Sequence, residues 1–222
     1  MLHLLPNLLA EGLDPKAAFP PVLYDVIPTL DGLIGESERN SRRYLKLFTP
    51  DFRNIPIVLL NEHTQSVDAL LTPLLKGENW GLISDCGLPC LADPGARLVN
   101  AARKKNVIIQ AYPGPSSMML ALMLSGLSGQ SFAFHGYMPR EKEPFQQRLR
   151  YLIQTADMER QTQLFIEAPY RNNPTRDRLV EQVPKQLQIL AAVDLMFETQ
   201  EIINLRDKPD LHKRPAIFLI GK

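Results

Sequence analysis

The sequence predicts an α/β protein of two lobes, each a sheet flanked by helices, divided between residues 112 and 113. Three observations carry this. Residues 1–112 alternate short apolar runs with amphipathic stretches, the pattern of a doubly wound sheet. Tyr112-Pro113-Gly114-Pro115 interrupts any regular element, because its two prolines fix φ and remove backbone donors. Strand-like and helix-like runs then resume over residues 113–222, giving a second α/β lobe of similar size.

Leu2 to Leu5 reads as the first strand and is followed by a proline-interrupted stretch. A helix is expected over Glu36 to Phe48, a strand over Ile55 to Leu60 and a helix over Val67 to Leu75. Residues 80–111 give the clearest unit. Trp80 to Ser84 is short and apolar, as a buried parallel strand should be. Asp93 then caps a helix that has Pro94 at its first position and Arg103-Lys104-Lys105 at its carboxyl end, where cations are favoured. Asn106 stops it and Val107 to Ala111 is the next strand, so the unit is a βαβ with a right-handed crossover. The loop between strand and helix, Asp85 to Ala92, lies where open α/β sheets bind ligands.

After the proline linker, Ser116 or Ser117 caps a helix over Met118 to Leu124. It is apolar all round, which predicts burial, and Gly126 ends it. A strand near Phe132-Ala133-Phe134, a helix over Pro144 to Ala156 and a strand over Gln163 to Ile166 come next. A helix opened by Asn173-Pro174, a β-prone run from Leu187 to Met196 and a last strand over Ala216 to Ile220 complete the second lobe.

With 222 residues and 45% hydrophobic content the chain has enough apolar material for a core, which excludes disorder. No apolar run approaches the roughly eighteen residues of a membrane span, and Met1-Leu2-His3-Leu4 has no signal-peptide pattern, so a cytoplasmic protein is expected. A net charge of +1 supplies no overall field for polyanions, although Arg39, Arg42, Arg43 and Lys46 cluster locally. Cys86 and Cys90 are the only cysteines. No second Cys/His pair is placed to complete a zinc site, so no metal is expected.

Two kinked loops about thirty residues apart, S-D-x-G-x-P-x-x-x-D-P-G from Ser84 and P-G-P-S-S from Pro113, carry a resemblance. With them the sequence resembles the tetrapyrrole-methylase superfamily of S-adenosylmethionine-dependent methyltransferases, and most closely its small-subunit rRNA ribose 2'-O-methyltransferase branch. Gly35-Glu36-Ser37-Glu38-Arg39 is similar to that branch's C-E-D-x-R, Asn61-Glu62-His63-Thr64 to its H-E-H-N, and Phe165 to Arg171 to its Y-E-S-P-H-R. Three positions depart from it. Asn7-Leu8 follows Pro6 where the branch has I-G-N, Ser37 replaces an Asp, and Asn61 replaces a His.

The resemblance implies a two-lobed fold with the cofactor cleft between the lobes. It implies cofactor contacts from Pro6, from Asp85, Gly87, Leu88 and Pro89, largely through backbone, and from Ser116 and Ser117. From the second lobe, Ile166, Glu167 and Ala168, with Pro215 and Ala216, are implied to close over the adenine. A ribose hydroxyl is a poor nucleophile and benefits from a group that takes or polarises its proton. Glu36, Arg39, Glu62 and His63 are the candidates by motif position, although Glu36 and Arg39, three apart on the expected helix, can equally pair with each other. The implied partners are rRNA or the small ribosomal subunit and a second copy of the chain. Two other readings stay open: methylation of a tetrapyrrole or other small molecule, and a cofactor-binding protein without turnover.

Overall fold

Side chains alternate across a strand, so Leu2 and Leu5 face opposite sides of the first sheet, and each finds its own apolar layer. The computed structural model describes all residues 1–222 and divides into two units, Met1–Ser116 and Ser117–Lys222. The division falls just past the proline linker.

The first unit runs β1 (Leu2–Leu4), α1 (Pro15–Ala18), α2 (Leu23–Val26), β2 (Gly32–Gly35), α3 (Glu38–Lys46), β3 (Ile57–Leu59), α4 (Asp68–Leu75), β4 (Trp80–Leu82), α5 (Gly95–Lys104) and β5 (Ile109–Ala111). Its sheet has the order β3-β2-β4-β1-β5 and every pairing is parallel. Right-handed crossovers that move in opposite directions must lie on opposite faces. The connections β1 to β2 and β2 to β3 move one way, and Leu5, Phe19, Leu23, Leu33 and Tyr44 pack with them on one face. The connections β3 to β4 and β4 to β5 move the other way, and Leu2, Ile34, Leu71, Trp80 and Leu98 fill the second face. The connection after β4 leaves to the opposite face from those after both its neighbours, β1 and β2, so the topological switch lies at the carboxyl end of β4.

The strand β2 is not among the expected elements. It is four residues long with glycine at both ends, a weak strand signal. The glycines are there for space: a Cβ at Gly32 would run into the Trp80 ring, and one at Gly35 into the Ser41 hydroxyl. The helix expected from Glu36 begins instead at Glu38, because the Ser37 hydroxyl accepts the Asn40 N–H at 3.3 Å and caps it.

The second unit runs α6 (Ser117–Ser125), β6 (Phe132–Tyr137), α7 (Lys142–Met158), β7 (Thr162–Ile166), α8 (Asn172–Gln182), β8 (Gln188–Val193), β9 (Glu201–Asn204) and β10 (Ala216–Gly221). Its sheet has the order β6-β7-β10-β8-β9, with β6 parallel to β7 and the other pairings antiparallel. Gly136, at φ +64°, lies in the bulge that shifts the β6 register between Phe134 and Tyr137. Phe145, Leu149, Phe165, Leu179 and Phe218 form the core, with the Phe165 and Phe218 rings stacked.

The all-round apolar helix α6 is not buried on every side. Ala121 and Leu122 are buried, but Met123 is 77% exposed. Apolar composition without a stripe says nothing about which face will pack.

Candidate functional site

The loop at the carboxyl end of β4, the switch point, and that of its neighbour β1 are tied together by Asn7. This side chain is buried, and its Nδ2 donates to the Ser84 carbonyl at 2.9 Å and to the Asp85 carbonyl at 3.3 Å. Its Oδ1 accepts from the Leu8 N–H at 2.8 Å. The backbone closes the same link, with Asn7 N–H to Gly87 C=O at 2.8 Å and Gly87 N–H to Leu8 C=O at 3.3 Å. Gly87 sits at φ +71°, a conformation that favours glycine. Where the family's small-subunit branch has a glycine-asparagine pair after its proline, this chain uses the asparagine itself as the brace.

Ser84 is buried and its hydroxyl donates to the Cys86 carbonyl at 2.8 Å, which turns the chain outward at Asp85. Asp85 is exposed and takes one bond on its carboxylate, from the Ser37 hydroxyl at 3.3 Å. Its N–H donates to Glu36 Oε1 at 2.9 Å. Glu36 thus lies before α3 and binds the β4 loop, so the pairing with Arg39 expected along a helix does not form. Burial raises the Glu36 carboxyl above its ordinary value of 4.5; the Asp85 N–H opposes this, and the charges of Asp85 and Asp93 add to it.

Pro6, buried at the end of β1, meets the linker after β5, where a Cβ on Gly114 would collide with its ring. Leu88 is half-buried and Pro89 buried on the far side of Gly87. The loop continues through Cys90 and Ala92, both in left-handed conformations, and Asp93 Oδ1 accepts the Gly95 N–H at 2.7 Å, a turn that leads into α5; the helix starts one residue later than expected, at Gly95, with Pro94 rather than Asp93 as its cap. Burial pushes both thiols up, Cys90 to about 11 with help from the Asp93 charge, so neither is a ready thiolate. Cys86 donates its S–H to the Leu9 carbonyl at 3.0 Å, a loop-filling role. Ser116 is buried at the end of this unit, and Ser117 opens α6 in the next.

Three of the four catalytic candidates share one depression of about 510 Å³, lined by Glu36, Asn61, Glu62, His63, Asp93 and Pro94. Asn61, in place of the family's histidine, builds the turn there: its Oδ1 accepts the His63 N–H at 3.0 Å. Glu62 and His63 are exposed, with 3.6 Å between Oε1 and Nε2. Arg39 is exposed on the first turn of α3 and does not line the depression.

In the second unit the antiparallel pairing of Ile166 with Ile217 brings the residues after β7 beside those before β10. Ile166, Glu167 and Ala168 thereby adjoin Pro215 and Ala216. Glu167 does not present its carboxylate there. The side chain is fully buried, 3.2 Å from Arg171 Nη2, and accepts the Thr175 hydroxyl at 3.4 Å. Burial raises its carboxyl, with Arg171 pulling it back down. Pro215 is exposed and accepts the Asp194 N–H at 3.2 Å, while Arg214 holds Asp194 and Glu201 at 2.6 and 2.7 Å.

The residues that build the first edge, Asn7, Ser37, Ser84 and Gly114, were not among the sequence candidates. Asn7 and Ser37 stand at two of the departures from the family pattern, which was the available signal.

Comparison with known proteins places this geometry. Residues 20–207 match the tetrapyrrole (corrin/porphyrin) methylase family. Proteins named ribosomal RNA small subunit methyltransferase I are similar to this chain. That of Xylella fastidiosa is 32% identical over 68% of this chain and 54% of its own length, and that of Vibrio cholerae 29% over 88% and 69%. A Streptococcus pyogenes relative is 32% identical over 86% of this chain and 68% of its own. The chain thus spans between about half and two thirds of the relatives it matches. Among solved structures, a diphthine synthase superposes with TM-score 0.66 at 15% identity, covering 99% of this chain and 88% of the other. The methyltransferase CobJ does so at 0.64 and 16%, covering 94% and 90%. With the family pattern running through the braced β4 loop and on across both sheets, the chain belongs to the tetrapyrrole methylase family.

Proposed function

We propose that this chain is an S-adenosylmethionine-dependent methyltransferase that methylates a ribose 2'-hydroxyl of small-subunit rRNA. The observation that carries the reading is the braced switch point at the end of β4, in a chain about 30% identical to relatives named as small-subunit rRNA methyltransferases. The residues present suit such a donor. A sulfonium is a cation, and the edge sets the charges of Asp85 and Asp93 close enough to Glu36 to raise its carboxyl. Asp85 also keeps one carboxylate oxygen without a bond, able to accept from a ribose hydroxyl.

S-adenosylmethionine, when bound, supplies an electrophilic methyl group. The protein's part is to hold the acceptor oxygen in line, which is worth roughly 7–11 kcal/mol at best. Asn7, Gly87 and Ser84 fix the loop that does this, and Glu36, half-buried beside it, is the group placed to take the acceptor's proton. Ile166, Ala168, Pro215 and Ala216 contribute through backbone and shape. The working protein is a cytoplasmic homodimer whose partner is the small ribosomal subunit or its RNA.

Calorimetric titration with S-adenosylmethionine, followed by labelled methyl transfer to unmodified small subunits, naked rRNA and a tetrapyrrole precursor, tests the reading. Micromolar donor binding and label on ribosomal material are expected. Binding without transfer to any acceptor would indicate a cofactor-binding protein, and label on the macrocycle alone a small-molecule enzyme.

A further inference from the structure

The turn after β3 carries two of the catalytic candidates, Glu62 and His63, and is held mostly by itself. β3 is an edge strand, paired with β2 alone. After Leu60, whose N–H donates to the Gly35 carbonyl at 2.9 Å, the backbone bonds of the turn are internal. The Asn61 N–H donates to Thr64 Oγ1 at 3.0 Å, the Thr64 N–H to the Asn61 carbonyl at 3.1 Å and the His63 N–H to Asn61 Oδ1 at 3.0 Å. These bonds fix the shape of the turn and leave its placement against the rest of the unit open.

The side chain that sets this placement is Arg97, on the first turn of α5 and 33 residues beyond Thr64. Its Nη2 donates to the Thr64 carbonyl at 2.8 Å and reaches the Asn61 carbonyl at 3.5 Å. One guanidinium nitrogen carries two N–H groups, so a single atom serves both ends of the turn. The Arg97 N–H donates to the Pro94 carbonyl at 3.1 Å, where the β4 loop runs into the helix. Arg97 thereby joins the two walls of the depression, Asn61, Glu62 and His63 on one side and Ala92, Asp93 and Pro94 on the other, without lining it.

We propose that Arg97 is a positioning residue for methyl transfer, holding Glu62 and His63 against the loop assigned to the donor. This role rests on the reading of the chain as an RNA methyltransferase and adds to it a residue outside the motifs that carry the family resemblance. Its weight falls on chemistry more than on folding. Both bonds are exposed, so water replaces a lost donor and stability changes little. A misplacement of about 1 Å, by contrast, costs a reaction about a hundredfold.

Labelled methyl transfer to unmodified small subunits and naked rRNA, at saturating donor and acceptor, is compared for the wild type, Arg97→Ala, Arg97→Lys, the double variant Glu62→Ala/His63→Ala, and that double variant combined with Arg97→Ala. Arg97→Ala should lower the maximal rate about ten- to a hundredfold. S-adenosylmethionine affinity in calorimetry and the urea midpoint should stay close to those of the wild type. Arg97→Lys should recover part of the rate, since an ammonium restores a donor but not the fork. Added to the double variant, Arg97→Ala should cost nothing more, because the side chains it places are already gone. An unchanged rate in Arg97→Ala, a fall in donor affinity or stability as large as the fall in rate, or a full additional loss in the combined variant would overturn the proposal. No transfer by the wild type to either acceptor would instead overturn the reading beneath it, and the proposal with it.

Discussion

At the carboxyl edge of the first sheet, polar side chains brace the loops and still leave carboxylate oxygens of Asp85 and Glu62 facing solvent. At the corresponding end of β7 in the second sheet, the charges of Glu167, Asp194 and Arg214 are spent on holding the fold. The difference follows from the sheets. A parallel sheet delivers several strand ends, each with its own loop, to one edge, whereas antiparallel pairing mixes strand ends with strand starts and ties them with ion pairs. The first unit thus leaves side-chain oxygens open at its edge, and the second ties its charged side chains into its own fold. Substitutions should separate the two: stability suffers in the second unit, ligand handling in the first.

The largest effect is expected at Glu167. Replacement by alanine strands Arg171, 16% exposed, without its counter-charge and should cost about 3–5 kcal/mol in urea unfolding. Glu167→Gln separates charge from shape, and its sign depends on pH. Because burial raises the folded carboxyl above 4.5, the folded state holds this proton more tightly than the unfolded one. The contribution to stability is full below 4.5 and is lost as pH rises through the folded value. The wild type should gain on Glu167→Gln as the pH is lowered toward 4.5; a difference independent of pH would mean the carboxyl is not perturbed.

Next comes Asn7. Its replacement by alanine leaves the Ser84 and Asp85 carbonyls without their donor and should cost about 1–3 kcal/mol. Donor affinity should fall at least tenfold in calorimetry, because the loop it braces is the one assigned to the donor. Asn7→Asp should be worse than alanine, since it sets a carboxylate against two carbonyls. If Asn7→Ala lowers stability yet leaves donor affinity intact, the brace is structural only and the contrast between the units weakens.

Asp85→Asn reverses that balance. The side chain is exposed and holds only the Ser37 hydroxyl, so unfolding should shift by no more than about 0.5 kcal/mol. Donor affinity should still drop about tenfold, the worth of a charge-assisted hydrogen bond.

Much of the fold behind this contrast is legible in the sequence. The βαβ unit over residues 80–111, the proline linker and the two-lobed plan all announce themselves through punctuation: Asp93-Pro94, Asn106, Pro113 and Pro115 each dictate a backbone event locally. The strand β2 does not, because its identity comes from Trp80, a residue 48 positions away that leaves room only for Gly32. The strand β9 is an edge paired with β8 alone, and its Glu201-Ile202-Ile203-Asn204 is too short to show alternation. The motif picks out Glu36 but the helix pattern alone runs through it; Ser37 is the better cap and so leaves Glu36 outside the helix. Asn7 looked like a missing glycine, because a brace between two loops is a long-range fact. The inward turn of the Glu167 carboxylate is not legible, because nothing local says that Arg171 and Thr175 will hold it.

The smallest effect, and the one that bears most directly on chemistry, concerns Glu36. Its carboxyl is raised by burial, with Asp85 and Asp93 adding to the shift and the Asp85 N–H restraining it. As the group that accepts the acceptor's proton it must be ionised, so turnover should fall on the acid side with an apparent pKa above 4.5, and the limb should flatten in Glu36→Gln. Stability should move the opposite way: the folded state favours the protonated form, so the Glu36 contribution is greatest in acid and declines as pH rises through the raised value. Opposed slopes of rate and stability, both removed by one substitution, identify a carboxyl at work in the reaction. Removal of the stability slope alone would leave Glu36 as no more than the acceptor that anchors the Asp85 N–H.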